Sequence, residues 1–239
     1  MKRFSVRYLV AVLLAGDLLM VALHLLLSSH PHLGTAFDLD MEGNVPTWWA
    51  SLKFAMAGAA AVFCYYAESV ATPPNGRRFS WGWLAVAALM LGMSCDETGQ
   101  LHEALSNWIM SSQAGGNLRT AFGASKESGA MLWGVVVAPF LLTLAVVVFL
   151  FYFSRFKTTP WLLGGYAAAV LLLVFDLVLE TRDARLLGTP GFLPESTWGI
   201  YRLNILAEET SEMFASTALT AIHVTYAVST LMRRREVPR

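Results

Sequence analysis

The chain has 239 residues, of which 56% are hydrophobic and only 14% charged, and its mean hydropathy is +0.52. A soluble domain carries about 25% charged residues, so the composition excludes an ordinary water-soluble domain and points to an all-α, polytopic membrane protein. Seventeen Lys and Arg balance seventeen Asp and Glu, and without a net positive charge the chain is not expected to bind nucleic acid.

Taken in chain order, Lys2, Arg3 and Arg7 precede a first apolar run at about 8–28 that contains Asp17 and His24. This start imitates a secretory signal, but the run is as long as a full span and no A-x-A site follows, so a retained helix is expected. An outer loop at about 29–47 carries His30, His32 and Asp38-x-Asp40-x-Glu42-Gly43. That spacing copies the first half of an EF-hand loop, whereas the position of its closing carboxylate is Trp49. Asp38, Asp40 and Glu42 therefore form a possible outer-loop cation site. Further spans are expected at about 48–68, 80–105, 129–154, 159–181 and 200–231, each near the ~20 residues a helix needs to cross the hydrocarbon. Between them lie a small, polar loop at about 106–128 with Gly115-Gly116, and a loop at about 182–199 with Arg182, Asp183 and Arg185. Residues 1–239 thus read as one membrane domain, a six-transmembrane-helix bundle.

Arg77 and Arg78, Arg155 and Lys157, and Arg233, Arg234, Arg235 and Arg239 fall on the same side as the N-terminal cluster. The positive-inside bias then makes both termini cytoplasmic. Trp48, Trp49, Trp81, Trp83, Trp133 and Trp161 fall at span ends, where an amphipathic ring suits the interface. Cys64 and Cys95 lie in different spans, toward opposite faces, so no disulfide is expected between them.

The acids gather at the other face. A helix advances ~100° per residue, so an unbroken third span places Asp96, Gly99, Gln100 and Glu103 on one face, with His102 and Glu97 on its flanks. The sixth span carries Glu208, Glu209 and Glu212, and its polar stripe continues through Ser216 and Thr220 to His223. The fifth span adds Asp176, Glu180 and Asp183. Bundles turn such stripes inward, away from lipid. Two carboxylates about 6 Å apart repel by roughly 3 kcal/mol at an effective dielectric of ~20. The cluster must therefore bind a cation, take up protons, or be neutralised by Lys53, Arg182, Arg185 or Arg202.

Carboxylates mixed with imidazole suit a divalent metal ion, whose identity the pattern leaves open. The expected ligands are Asp96, His102, Glu103, Glu209, Glu212, Asp176 and Glu180. A spare carboxylate is then expected to serve as general base toward metal-bound water, acting on a lipidic small molecule. A second expectation is a proton- or cation-coupled transporter, with Asp17, Ser216, Thr220 and His223 as the proton path. A third is a non-catalytic subunit or assembly factor of a larger membrane complex. Ala57-Gly58-Ala59-Ala60-Ala61 and Gly164-Gly165 read as close-packing surfaces. No H-E-x-x-H, Glu-x-x-His, nucleophile elbow, Walker loop or C-x-x-C occurs.

The segments Phe37-Asp-Leu-Asp-Met-Glu-Gly-Asn-Val-Pro-Thr-Trp48, Ser94-x-Asp96-Glu97-x4-His102-Glu103 and Leu206-Ala-Glu208-Glu209-x-x-Glu212-Met213 resemble a family of bacterial multi-pass membrane proteins. The resemblance implies a protein of the bacterial inner membrane with these acids as shared landmarks, and it implies no reaction. A weaker likeness is to the alkaline ceramidase and adiponectin-receptor superfamily of zinc-dependent membrane hydrolases. Its basis is the acidic Asp38–Asn44 segment before Thr47-Trp-Trp-Ala-Ser, and Thr98-x3-His102 in place of a Ser-x3-His motif. The superfamily's seven spans and His-x3-His motif have no counterpart here.

Overall fold

The computed structural model describes residues 6–41, 43–71, 79–122, 132–187 and 195–236. Among these the regular structure is all helical: α1 (Val6–Leu27), α2 (Val45–Ala71), α3 (Gly82–Gly99), α4 (Leu101–Ser111), α5 (Gln113–Phe122), α6 (Leu132–Phe156), α7 (Pro160–Leu187) and α8 (Glu195–Glu236). Four segments are long and apolar enough to cross a membrane: Val6–Leu27, Val45–Ala71, Pro160–Leu179 and Gly199–Arg233. The chain is therefore a membrane protein. The two other expected spans fall on α3, which ends on the polar Asp96-Glu97-Thr98-Gly99, and on α6, where Thr143–Phe156 is a shorter apolar stretch.

Local chemistry explains the ends. Asn44 accepts hydrogen bonds from the Thr47 amide (3.3 Å) and hydroxyl (3.1 Å) through Oδ1, capping α2 at its N-terminus. Its Nδ2 donates to the carbonyls of Asp38 and Thr35, tying the helix start to the preceding loop. Ser112 Oγ accepts the Gly115 amide at 3.1 Å and opens α5 in the same way. α7 begins on Pro160, whose missing N–H costs nothing in the first helical turn.

Two expectations are corrected here. The third span does not run unbroken over 80–105: Gln100 adopts a left-handed conformation (φ 51°, ψ 41°) and separates α3 from α4. Its amide still bonds the Asp96 carbonyl at 2.8 Å, closing α3, and its carbonyl accepts the Ala104 amide at 2.9 Å, opening α4. The 100° step therefore fails at this point, and Asp96 and Glu103 belong to different helices. The expected loop at 106–128 is helical over the rest of α4 and over α5, as far as Phe122.

α8 is the axis of the bundle. It packs against α1, α2 and α7, and α2 also packs against α3. At ~1.5 Å per residue its 42 residues extend about 63 Å, roughly twice the hydrocarbon thickness. Close approach depends on small residues. Ala57, Ala61, Cys64 and Ala67 are fully buried on α2, and a Cβ on Gly58 would lie 3.2 Å from the Ala87 carbonyl of α3. The main core joins these to Phe54, Trp83, Tyr152, Phe156, Leu219 and Ile222. A smaller cluster of Met20, Leu39, Ile205 and Met213 lies toward the start of α8.

Candidate functional site

The most unusual feature of the interior is a lysine. Lys53 lies within the apolar helix α2, and its side chain is 0% exposed. Its ammonium donates to Asp17 Oδ1 at 2.6 Å and to the Met213 carbonyl at 2.7 Å. Asp17 is likewise 0% exposed. Its Oδ1 also accepts Trp49 Nε1–H at 2.7 Å, and its Oδ2 accepts the Thr217 hydroxyl at 2.8 Å. Three donors from α2 and α8 thus meet one carboxylate on α1. The Trp49 ring also lies beside Lys53, with Nζ 5.8 Å from the ring centroid. Such a pair withstands desolvation because the lone pairs and ammonium protons find partners.

Two of the acids expected at the site face a cation of the chain itself. The carboxylates of Glu212 on α8 and Glu97 on α3 lie near enough to act on the same Lys53 ammonium. Asp96, Glu97, Asp176, Glu208, Glu209 and Glu212 all have interaction partners. Among the described residues no three His, Cys, Asp or Glu side chains gather as a metal-ion set. The side chains of His102, Glu103 and Glu180 lie outside the described residues.

Below the ion pair, polar contacts continue down the α2–α8 interface. Ser216 Oγ bonds back to the carbonyls of Glu212 (3.1 Å) and Met213 (3.0 Å), and Thr220 Oγ1 donates to the Lys53 carbonyl at 3.1 Å. His223, 0% exposed, places Nδ1 2.9 Å from the Ala57 carbonyl and Nε2 2.5 Å from the Tyr152 hydroxyl of α6. A carbonyl only accepts, so Nδ1 carries the proton and Nε2 accepts from Tyr152. Asp17 and His223, the two ionisable members of the expected proton path, therefore have separate partners. Cys64 Sγ donates to the His223 carbonyl at 3.1 Å.

A second charged node closes the far end. Glu68 Oε1 accepts Trp83 Nε1–H (2.9 Å), Arg155 Nε–H (2.8 Å) and the Tyr226 hydroxyl (2.6 Å), gathering α2, α3, α6 and α8. Trp83 stacks edge-on to Tyr152 and His223, with ring centroids 5.7 and 5.6 Å away. Sequence reasoning passed over Glu68 and Tyr152 and used Arg155 only as a topology marker. It also placed Trp49 and Trp83 in an interfacial belt. The structure instead turns both indoles inward as donors to buried carboxylates, while Trp48, Trp81 and Trp161 remain exposed. The available signal was positional: Lys53, Ala57, Cys64 and Glu68 recur near one face of α2.

The acidic loop is pinned by protein groups. Asp38 Oδ1 accepts the Asp40 amide at 3.2 Å, and Asp40 Oδ1 accepts the Tyr201 hydroxyl at 3.0 Å. His24 Nδ1 accepts the Leu39 amide at 3.1 Å, so its 3.5 Å approach to Asp38 is not an ion pair through that nitrogen. Glu42 lies outside the described residues.

A helical membrane protein with a buried ion pair in its interior is the class this arrangement defines. Over residues 7–227 the chain matches the family described as a domain of unknown function, DUF8692, and it belongs to that family. No curated protein and no solved structure matches it. The likeness to the ceramidase and adiponectin-receptor superfamily therefore finds no support.

Proposed function

We propose that this chain is a proton- or cation-coupled transporter of the bacterial inner membrane, a six-span bundle with both termini cytoplasmic. The observation that carries the reading is the Asp17–Lys53 pair, a carboxylate and an ammonium both withdrawn completely from solvent. Intramembrane charge is costly and is retained chiefly where charge is moved. Lys53 acts as a tethered cation. A proton arriving on Asp17, or a cation replacing the ammonium there, frees Lys53 to turn toward Glu212 and Glu97. Thr217, Thr220 and the Tyr152–His223 pair supply exchangeable protons along α8, and Glu68 is the carboxylate at the far end.

Proteoliposomes containing a pH-sensitive dye test this. Wild type should move protons down an imposed gradient faster than empty vesicles, with Asp17→Asn and His223→Ala at background while retaining a folded elution profile. Vesicles no faster than empty ones under proton, sodium and potassium gradients, or variants that match wild type, overturn it.

The placement of Asp96 and Glu97 at the end of α3 and of Glu209 and Glu212 on α8 leaves a second reading to test. In it a divalent ion shares the acidic end with Lys53, drawing on Asp96, Glu209 and Glu212, and acts on a lipidic substrate. A stoichiometric metal in gently solubilised protein, and a Tm raised by adding that metal, support this reading. Metal-free protein with an unmoved Tm removes it.

A further inference from the structure

The Gly164-Gly165 pair does not serve as a close-packing surface. A Cβ on Gly164 would meet nothing within 4 Å, and one on Gly165 only Ile222, at 3.4 Å. A cavity of about 750 Å³ opens here between α1, α7 and α8, a volume typical of small-molecule sites. Val10, Ala11 and Leu14 of α1 line it together with Gly165 of α7 and Ala218 and Ile222 of α8. Arg7 and Trp161 stand together at one end, because α1 and α7 both begin there. The apolar stretch from Arg7 to Leu14 is about 10 Å long at ~1.5 Å per residue.

We infer that this groove is a binding site for an anionic phospholipid, with an acyl chain against Ala11, Gly165 and Ala218 and the phosphate at Arg7. The lining chemistry selects the occupant. The walls are hydrocarbon and open to the bilayer, so an aliphatic chain fills them without stranding a polar group. Arg7 is exposed at the mouth, and its guanidinium fork matches a phosphate with two parallel hydrogen bonds. Trp161, 59% exposed at the same mouth, suits the headgroup level. A basic side chain near an anionic lipid surface favours that lipid by about fivefold, so charge selectivity is the measurable signature. The inference stands whether or not the chain transports ions.

Native mass spectrometry of protein extracted from equimolar phosphatidylglycerol and phosphatidylcholine provides the test. Wild type should retain phosphatidylglycerol over phosphatidylcholine by about fivefold. Arg7→Gln should bring the two lipids to parity. Ala11→Phe, which fills the groove from an exposed position, should remove retained lipid of both kinds. Wild type that keeps no lipid, or Arg7→Gln that keeps the wild-type preference, overturns the assignment. A protein dimer that Ala11→Phe splits assigns the groove to a second copy instead.

Discussion

At the scale of single residues, the ion pair is held by a packing contact that its chemistry alone does not reveal. A Cβ on Gly16 would fall 2.2 Å from the Trp49 ring, so only glycine lets that indole lie across α1 and reach Asp17. Gly16→Ala should displace Trp49 and lose the hydrogen bond to a charged acceptor, at a cost of about 1.5–3 kcal/mol. A lowered Tm with changed tryptophan emission would bear this out; an unchanged Tm would show that Trp49 does not hold the pair. Lys53→Met asks a harder question, because it strands a buried carboxylate. It should destabilise by about 3–5 kcal/mol, and Asp17→Leu added to it should restore most of that loss. Additive losses in the double variant would mean that the two side chains are not coupled. Lys53 was legible in the sequence only as one of four nearby cations. Spacing gives each helix's polar face but not which faces meet, so the pairing of Lys53 with Asp17 rested with the tertiary fold.

At the scale of elements, the break between α3 and α4 has its own physical test. A side chain in the left-handed region costs about 1–2 kcal/mol, a penalty glycine escapes. Gln100→Gly should therefore stabilise the protein by about 1 kcal/mol. In an unbroken helix the same change would destabilise by about 1 kcal/mol, so the sign of the Tm shift decides between the two backbones. The acidic motif hid this break. Gly99 is the residue a sequence reading would suspect, yet the left-handed residue is its neighbour. α4 was obscured for a related reason. Leu101, Leu105, Trp108 and Ile109 do follow a helical spacing, but the serines and glycines beyond them resemble a loop when the segment is taken whole. By contrast α1 and α7 were plain from hydropathy, since long apolar runs permit almost no other structure in lipid, while α2 and α8 kept enough apolar length around Lys53 and the acids of α8 to be drawn as spans.

At the scale of the whole molecule, the contacts define two polar ends. His24, Asp38, Asp40 and Tyr201 meet at one. Glu68, Trp83, Arg155 and Tyr226 meet at the other. From Val45 to Glu68, α2 rises about 35 Å at ~1.5 Å per residue, which matches the hydrocarbon core with a margin for headgroups. The buried Asp17–Lys53 pair then falls within the membrane, nearer the acidic end. On the proposed topology, Arg155 and Lys157 put the opposite end on the cytoplasmic side by the positive-inside rule. Thr35 and Thr158 are exposed at the two ends and both cysteines are free, so a background of Cys64→Ala with Cys95→Ala permits single-site labelling. A membrane-impermeant maleimide on intact spheroplasts should label Thr35→Cys at once, and Thr158→Cys only after permeabilisation. Labelling of both before permeabilisation would place the two ends on one side of the bilayer. It would deny the Asp17–Lys53 pair its membrane depth and remove the energetic reason for assigning it to ion movement.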